Sequence, residues 1–297
     1  MRQPPSAAIM TIRTDPWFLS RSRATIVAAG LLAACGGTPM KIPTAPEVPQ
    51  PSFAEVSETQ WRALATPRIF FGHQSVGGNI IDGVQSVLKD HPEIPLRLFA
   101  GPLLDPNGPP GLYHANVGHN GDPGSKTSDF DRTVSVGTPA VALLKFCYVD
   151  VEGARDPDSL FAEYQRNIAS LQARVPGLTI VHVTMPLTRK GGYRSTLMAR
   201  LRGQPTADDL NVIRNRYNAL LRRAYAGKEP VFDLARIEST HADGTRSFIM
   251  RDGDTVYTLA PEKTTDGGHL NADGSRDAAE AFLAVLAALE EPPRASP

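Results

Sequence analysis

Cysteine is almost missing from this chain. Only Cys35 and Cys147 occur in 297 residues, so no disulfide framework can carry the fold and a buried core must do so. An excess of charge is missing too. Its 31 basic residues balance 31 acidic ones, and without a basic stripe nucleic acid is not an expected partner. No Walker loop, dinucleotide fingerprint or H-E-x-x-H pair is present, and His73, His114, His119 and His241 show no paired ligand spacing. The expectation is therefore no cofactor and no metal. Finally, no apolar run reaches the roughly 20 residues that a membrane-spanning helix needs.

What is there begins with a processing signal. Arg13, Arg21 and Arg23 precede the short apolar run ATIVAAGLLAA at 24–34, and small residues then lead to Cys35. The order of charge, apolar run and cysteine resembles a bacterial lipoprotein signal. It implies cleavage before Cys35, lipidation of Cys35, and a lipid-anchored place in the bacterial envelope, at the periplasmic face of the outer membrane. Met1 and Met10 both remain as starts. Removing 1–34 takes Arg2, Arg13, Arg21, Arg23 and Asp15 with it, leaving 27 basic and 30 acidic residues. Residues 35–52 follow as a lipidated cysteine and a proline-rich linker, whose composition predicts an extended, semi-rigid spacer. Residues 53–297 are of single-domain size, expected to be monomeric.

Within that domain apolar runs of strand length alternate with helical patterns. Strands are expected at 68–71, 94–100, 139–149, 178–186 and 230–235, and helices at 54–65, 79–91, 158–175, 207–226 and 272–291. A Gly/Pro/Asn-rich loop is expected over 101–124. Alternation of this kind predicts βαβ units and a three-layer α/β/α sandwich around a mostly parallel sheet of about five strands, a flavodoxin-like layering. Sites in such sheets form beyond the carboxyl ends of strands.

Two segments at such ends suit each other chemically. In FFGHQSVGGN (70–79) a strand runs through Gly72 and places Ser75 just before a helix, where unpaired amides and the helix dipole favour negative charge. In TTDGGHLNADG (264–274) His269 can take a proton from a serine, and Asp266 can fix the imidazole tautomer. The plain alternatives are that Ser75 is an N-cap and that His269 is a solvated loop residue ahead of the capping Asn271.

These blocks resemble the SGNH/GDSL hydrolase family. Asp266-Gly267-Gly268-His269 with its HLN continuation matches the family's D-x-x-H block, whereas Gly72-His73-Gln74-Ser75 is one residue longer than Gly-Asp-Ser. The resemblance implies an SGNH-type sheet and hydrolysis of an O-acyl ester by Ser75, His269 and Asp266, on a small-molecule or glycan ester substrate. It also implies oxyanion donors from the Ser75 amide and from Gly118 or Gly121. The family's Gly-x-Asn-Asp is replaced by KFCYVD (145–150), so Tyr148 or Asn120 stands in for the missing asparagine.

The rival reading is a catalytically decayed module of the same fold that binds a glycan or an envelope partner. A third reading makes Cys147 a nucleophile, against its reading as a small buried apolar residue. His182 reads as a satisfied core histidine. Lys145, inside a central strand, needs a partner such as Asp150 or Asp129. The basic loop LTRKGGYRS (187–195) either binds an anionic or sugar substrate or is solvated.

Overall fold

The computed structural model describes residues 40–152 and 156–290. The signal segment 1–34 and Cys35 lie outside them. Chain order is α1 (Glu58–Ala63), β1 (Arg68–His73), α2 (Val76–Asp90), β2 (Leu98–Ala100), β3 (Gly111–Asn116), α3 (Pro123–Gly137), β4 (Val141–Leu144), α4 (Pro157–Arg174), β5 (Thr179–Ile180), β6 (His182–Val183), α5 (Tyr193–Leu201), α6 (Ala207–Tyr225), β7 (Val231–Phe232), α7 (Leu234–Ser239), β8 (Phe248–Arg251), β9 (Asp254–Tyr257) and α8 (Ala272–Ala287).

The central sheet has five parallel strands in the order β2-β3-β1-β4-β5. The chain between β5 and β6 carries the pairing further. Val181 donates to the Ala142 carbonyl, and His182 donates to that of Pro230, where β6 lies parallel to β7. An antiparallel hairpin, β8–β9, lies apart from this sheet.

β1 is central, and its run Ile69-Phe70-Phe71 is fully buried, as a strand covered on both faces requires. Successive side chains point to opposite faces. Ile69 and Phe71 join a core with Trp61 of α1, Ile80 and Val84 of α2, and Phe282 of α8. Phe70 joins the opposite core with Phe130 of α3, Phe161 and Tyr164 of α4, and Tyr217 of α6. These two cores are the two interfaces of an α/β/α sandwich. On the first face α2 and α8 approach closely. A Cβ on Gly83 would sit 2.2 Å from the Ser275 carbonyl oxygen, so only glycine fits there.

Several elements differ from the sequence expectation, β3, α3 and α5 among them. The loop expected over 101–124 contains β3, which pairs with both β1 and β2. Its GLYHAN sequence is flanked by Gly, Pro and Asn, and those breakers hide a strand that tertiary pairing supports. Helix α3 buries Lys126, Thr133 and Gly137 along with Phe130 and Val134, so its inner stripe is not apolar enough to read as a periodic pattern. Helix α5 buries nothing and has no such pattern to read. The later part of the proline-rich stretch also runs along the domain instead of standing off it. The Ile42 amide donates to Asp254, Gln50 donates to the Val231 carbonyl, and Val48 is buried.

His182 is buried, bonded through Nδ1 to the Tyr164 hydroxyl at 2.8 Å and through Nε2 to Glu229 at 3.1 Å. Burial pulls its pKa down to about 4, against the raising effect of Glu229. A histidine held neutral in the fold contributes stability that is present above its unfolded pKa near 6.5 and is lost as pH falls through the folded value. Denaturant unfolding should therefore show stability declining between about pH 6.5 and pH 4, by at most about 1.4 kcal/mol per pH unit from this residue. His182→Gln should flatten that decline by roughly one proton.

Candidate active site

β1 ends at His73, and α2 begins at Val76. Between them Ser75 adopts φ 53°, ψ −116°, a region that L-residues rarely occupy. The neighbours leave the backbone little choice. A Cβ on Gly77 would lie 2.3 Å from that of His73, and Gly72 packs against Phe130 and Val117. Gln74 donates to the Gly118 carbonyl at 2.8 Å, fixing the turn to the loop after β3. The tight turn lifts Ser75 out of the core at the N-terminus of α2.

The Ser75 hydroxyl makes no capping bond to α2. Its Oγ lies 2.7 Å from His269 Nε2, a contact that spans 194 positions of sequence. His269 Nδ1 lies 2.7 Å from Asp266 Oδ2. The other Asp266 oxygen accepts the amides of Gly268 and His269 at 2.9 and 2.8 Å. Those bonds, with the imidazole, hold the Asp266 carboxyl well below its usual range although the group is half exposed. Asp266 is thus a fixed anion that orients Nδ1–H and leaves Nε2 to accept from Ser75. The segment is anchored from both sides. The Leu270 amide donates to Asn79 of α2, and Asn271 caps α8 through the Gly274 amide at 3.0 Å.

The five expected oxyanion groups fare differently. The Gly118 amide donates to Asp129 at 2.9 Å, and the Gly121 amide donates to Asp150 at 2.9 Å. Both amides are spent on carboxylates, so neither is free to hold an oxyanion, contrary to the expectation for that loop. Two donors remain without partners among the described residues, and a third faces Ser75. The Ser75 amide is one. The carboxamide nitrogen of Asn120 is another, its Oδ1 being held by Lys126 Nζ at 3.1 Å. The Tyr148 hydroxyl faces the Ser75 side chain.

Beneath these loops Lys126 and Asp150 form a fully buried ion pair at 2.7 Å. Asp150 also accepts the Cys147 amide at 2.7 Å. One carboxylate thereby joins α3, the loop after β3 and the loop after β4. Sequence reasoning missed Lys126 and gave its role to Lys145. In fact Lys145 bonds the Phe146 carbonyl and Cys147 Sγ and pairs with neither Asp150 nor Asp129. The only sequence signal for Lys126 was a lysine on the inner stripe of a helix that was itself not apparent. Cys147 is fully buried under the Ser75 turn, with Sγ 3.5 Å from the Gln74 carbonyl, which denies it the access that a nucleophile needs. Among the described residues, no group of three or more His, Cys, Asp or Glu is placed to hold a metal.

The strain at Ser75 can be measured. Glycine adopts this backbone region freely. Relief of about 1–3 kcal/mol of strain should outweigh the roughly 0.5–1 kcal/mol that glycine costs through the unfolded chain. Ser75→Gly should therefore be more stable than Ser75→Ala by about 1 kcal/mol in denaturant unfolding. Equal stabilities would show that the turn is relaxed.

No protein-family model matches the chain, and no curated protein matches it. Among solved structures the chain is similar to a lipase/acylhydrolase from Enterococcus faecalis, at 12% identity and a TM-score of 0.42, covering 77% of this chain and 99% of that one. It is also similar to a carbohydrate esterase family 3 protein from Talaromyces cellulolyticus, at 14% identity and TM-score 0.40, covering 72% and 92%. A third is the salicylyl-acyltransferase SsfX3 of a tetracycline biosynthetic pathway, at 15% identity and TM-score 0.40, covering 75% and 55%. In its motif blocks, Asp266-Gly267-Gly268-His269 above all, the chain resembles the SGNH/GDSL hydrolases.

Proposed function

We propose that this protein is a serine hydrolase acting on O-acyl esters. The observation that carries the reading is the hydrogen-bonded chain Ser75–His269–Asp266, with both links at 2.7 Å. Ser75 Oγ attacks the ester carbonyl while its proton passes to His269 Nε2. The tetrahedral oxyanion is held by the Ser75 amide, the Asn120 carboxamide and the Tyr148 hydroxyl. His269 then protonates the departing alcohol as the carbonyl re-forms, leaving an acyl-Ser75. Water, deprotonated by His269, attacks that acyl group, and the carboxylic acid leaves as Ser75 regains its proton. Asp266 keeps its charge throughout and stabilises the imidazolium formed in each half.

The rival reading, a decayed module that only binds, lacks a comparable support. A non-functional serine has no need of a rare backbone conformation and an aligned acid–base pair.

A fluorophosphonate probe should label the wild-type domain at Ser75, as peptide mass spectrometry would read. Short-chain 4-nitrophenyl esters should be cleaved, with kcat falling by at least about 10³-fold in Ser75→Ala and in His269→Ala. Unchanged activity in either variant removes the mechanism, and an unlabelled Ser75 in a folded protein favours the binding module.

Lipid attachment at Cys35 would hold this activity at the bacterial envelope, on the periplasmic face of the outer membrane. In that case the full-length chain should partition with membranes, and Cys35→Ser should move it to the soluble fraction. Membrane partition unchanged by the substitution counts against anchoring.

A further inference from the structure

Beside the triad lies an open cavity of about 250 Å³, walled by Tyr148, Arg214, the loop of Arg189 and Lys190, and Gly267. It communicates with the reacting atoms through Tyr148. The ring of that residue lines the cavity, and its hydroxyl faces Ser75. The loop is tied to the triad segment, because the Arg189 amide donates to the Gly267 carbonyl at 2.9 Å.

The unusual member is Arg214. It is 1% exposed, yet no carboxylate pairs with it among the described residues. Nε donates to the Tyr148 carbonyl at 3.0 Å, and Nη1 donates to Thr188 and Asn211, both at 2.9 Å. These are neutral acceptors, and Nη2 takes no partner among the described residues. A buried charge is ordinarily paired, because losing its hydration costs several kcal/mol. Two acids lie in the surroundings, Glu152 and Glu238. Glu152 is exposed at the cavity rim. Glu238 is fully buried, which pushes its carboxyl up to about 8, so near neutral pH it supplies little negative charge. Burial lowers Arg214 only to about 10, and it remains a cation. Arg189 and Lys190 are exposed and also make no ion pair among the described residues. Arg214, Arg189 and Lys190 therefore all line one small cavity, whose acidic lining residues among the described residues are Glu152 and Asp266, and Asp266 is committed to His269.

We propose that this cavity is an anion-binding subsite and that the ester cleaved at Ser75 carries a carboxylate or phosphate which docks against Arg214, Arg189 and Lys190. The inference rests on the hydrolase reading and names its substrate class. The free Nη2 of Arg214 can donate to a carboxylate or phosphate oxygen, and the exposed Arg189 and Lys190 add positive charge from the loop. Arg214 also steadies Tyr148, so an occupied subsite and the oxyanion donor share a wall.

The test compares matched ester pairs. Mono-4-nitrophenyl succinate against 4-nitrophenyl butyrate places the charge on the acyl side. 4-Acetoxybenzoate against its methyl ester places a carboxylate on the alcohol side, and 4-acetoxyphenyl phosphate against its dimethyl ester does the same for phosphate. For at least one pair, wild-type kcat/KM should favour the anion by about tenfold or more, mainly through KM, the scale of a charge-assisted contact. Arg189→Ala/Lys190→Ala should lower kcat/KM for that anionic ester about tenfold more than for its neutral mate, and Arg189→Lys/Lys190→Arg should largely restore the preference. The exposed loop makes these variants safe for folding, whereas Arg214→Gln would disturb Tyr148 as well. Equal kcat/KM within every pair, or a preference that survives the double alanine, overturns the subsite. If neutral esters are still cleaved in a Ser75-dependent way, the hydrolase reading stands alone. If the wild type cleaves no ester of either kind, both readings fall together.

Discussion

The site depends on one strained turn, the two residues Gln74 and Ser75 through which the central strand becomes the second helix. β1 is pinned on both sides by parallel neighbours and above and below by apolar cores, so its end cannot shift. Helix α2 is pinned in turn against α8 through the glycine contact at Gly83. The turn between these two fixed bodies has to close at Ser75 with a positive φ. Packing on either side supplies the energy that holds an unfavourable backbone in place, and the result is a hydroxyl presented outward instead of one folded back to cap its helix.

The same two bodies bring His269 to Ser75. Helix α8 packs on α2, and the loop that starts α8 carries Asp266 and His269. Asn79, one turn into α2, accepts the Leu270 amide. The distance between hydroxyl and imidazole is therefore set by a helix–helix interface and does not depend on a flexible arm. Around this contact the other loops are gathered by a single buried carboxylate, Asp150, which binds Lys126, Gly121 and Cys147 at once. A buried ion pair of this kind is a weak source of net stability, but it fixes where the loops after β3 and β4 sit.

Ser75, Asp266 and His269 could be singled out because the proposed hydrolysis needs particular residue types beside turn-forming glycines, and those are local signals. The sandwich could be read because strands buried on both faces are continuously apolar. β3 could not, since its six residues gain their strand conformation from two parallel neighbours. The amides of Gly118 and Gly121 looked available because nothing in the local sequence shows that Asp129 and Asp150 come back to claim them. Lys145 was given the acid that in fact belongs to Lys126, since both lysines are buried and only the crossover geometry brings one of them within reach.

By itself, the order of residues determined the layered parallel architecture, the three residues of the proposed triad and the expectation of an envelope-directed leader, because each is written in patterns a few residues long. Tertiary structure alone decided which amides stay free for the proposed oxyanion, which lysine meets Asp150, and that Arg214 stands buried without an ion-pair partner among the described residues. Those outcomes are competitions between groups far apart in the chain, and a hydrogen bond or an ion pair has no partner until folding brings one within about 3 Å.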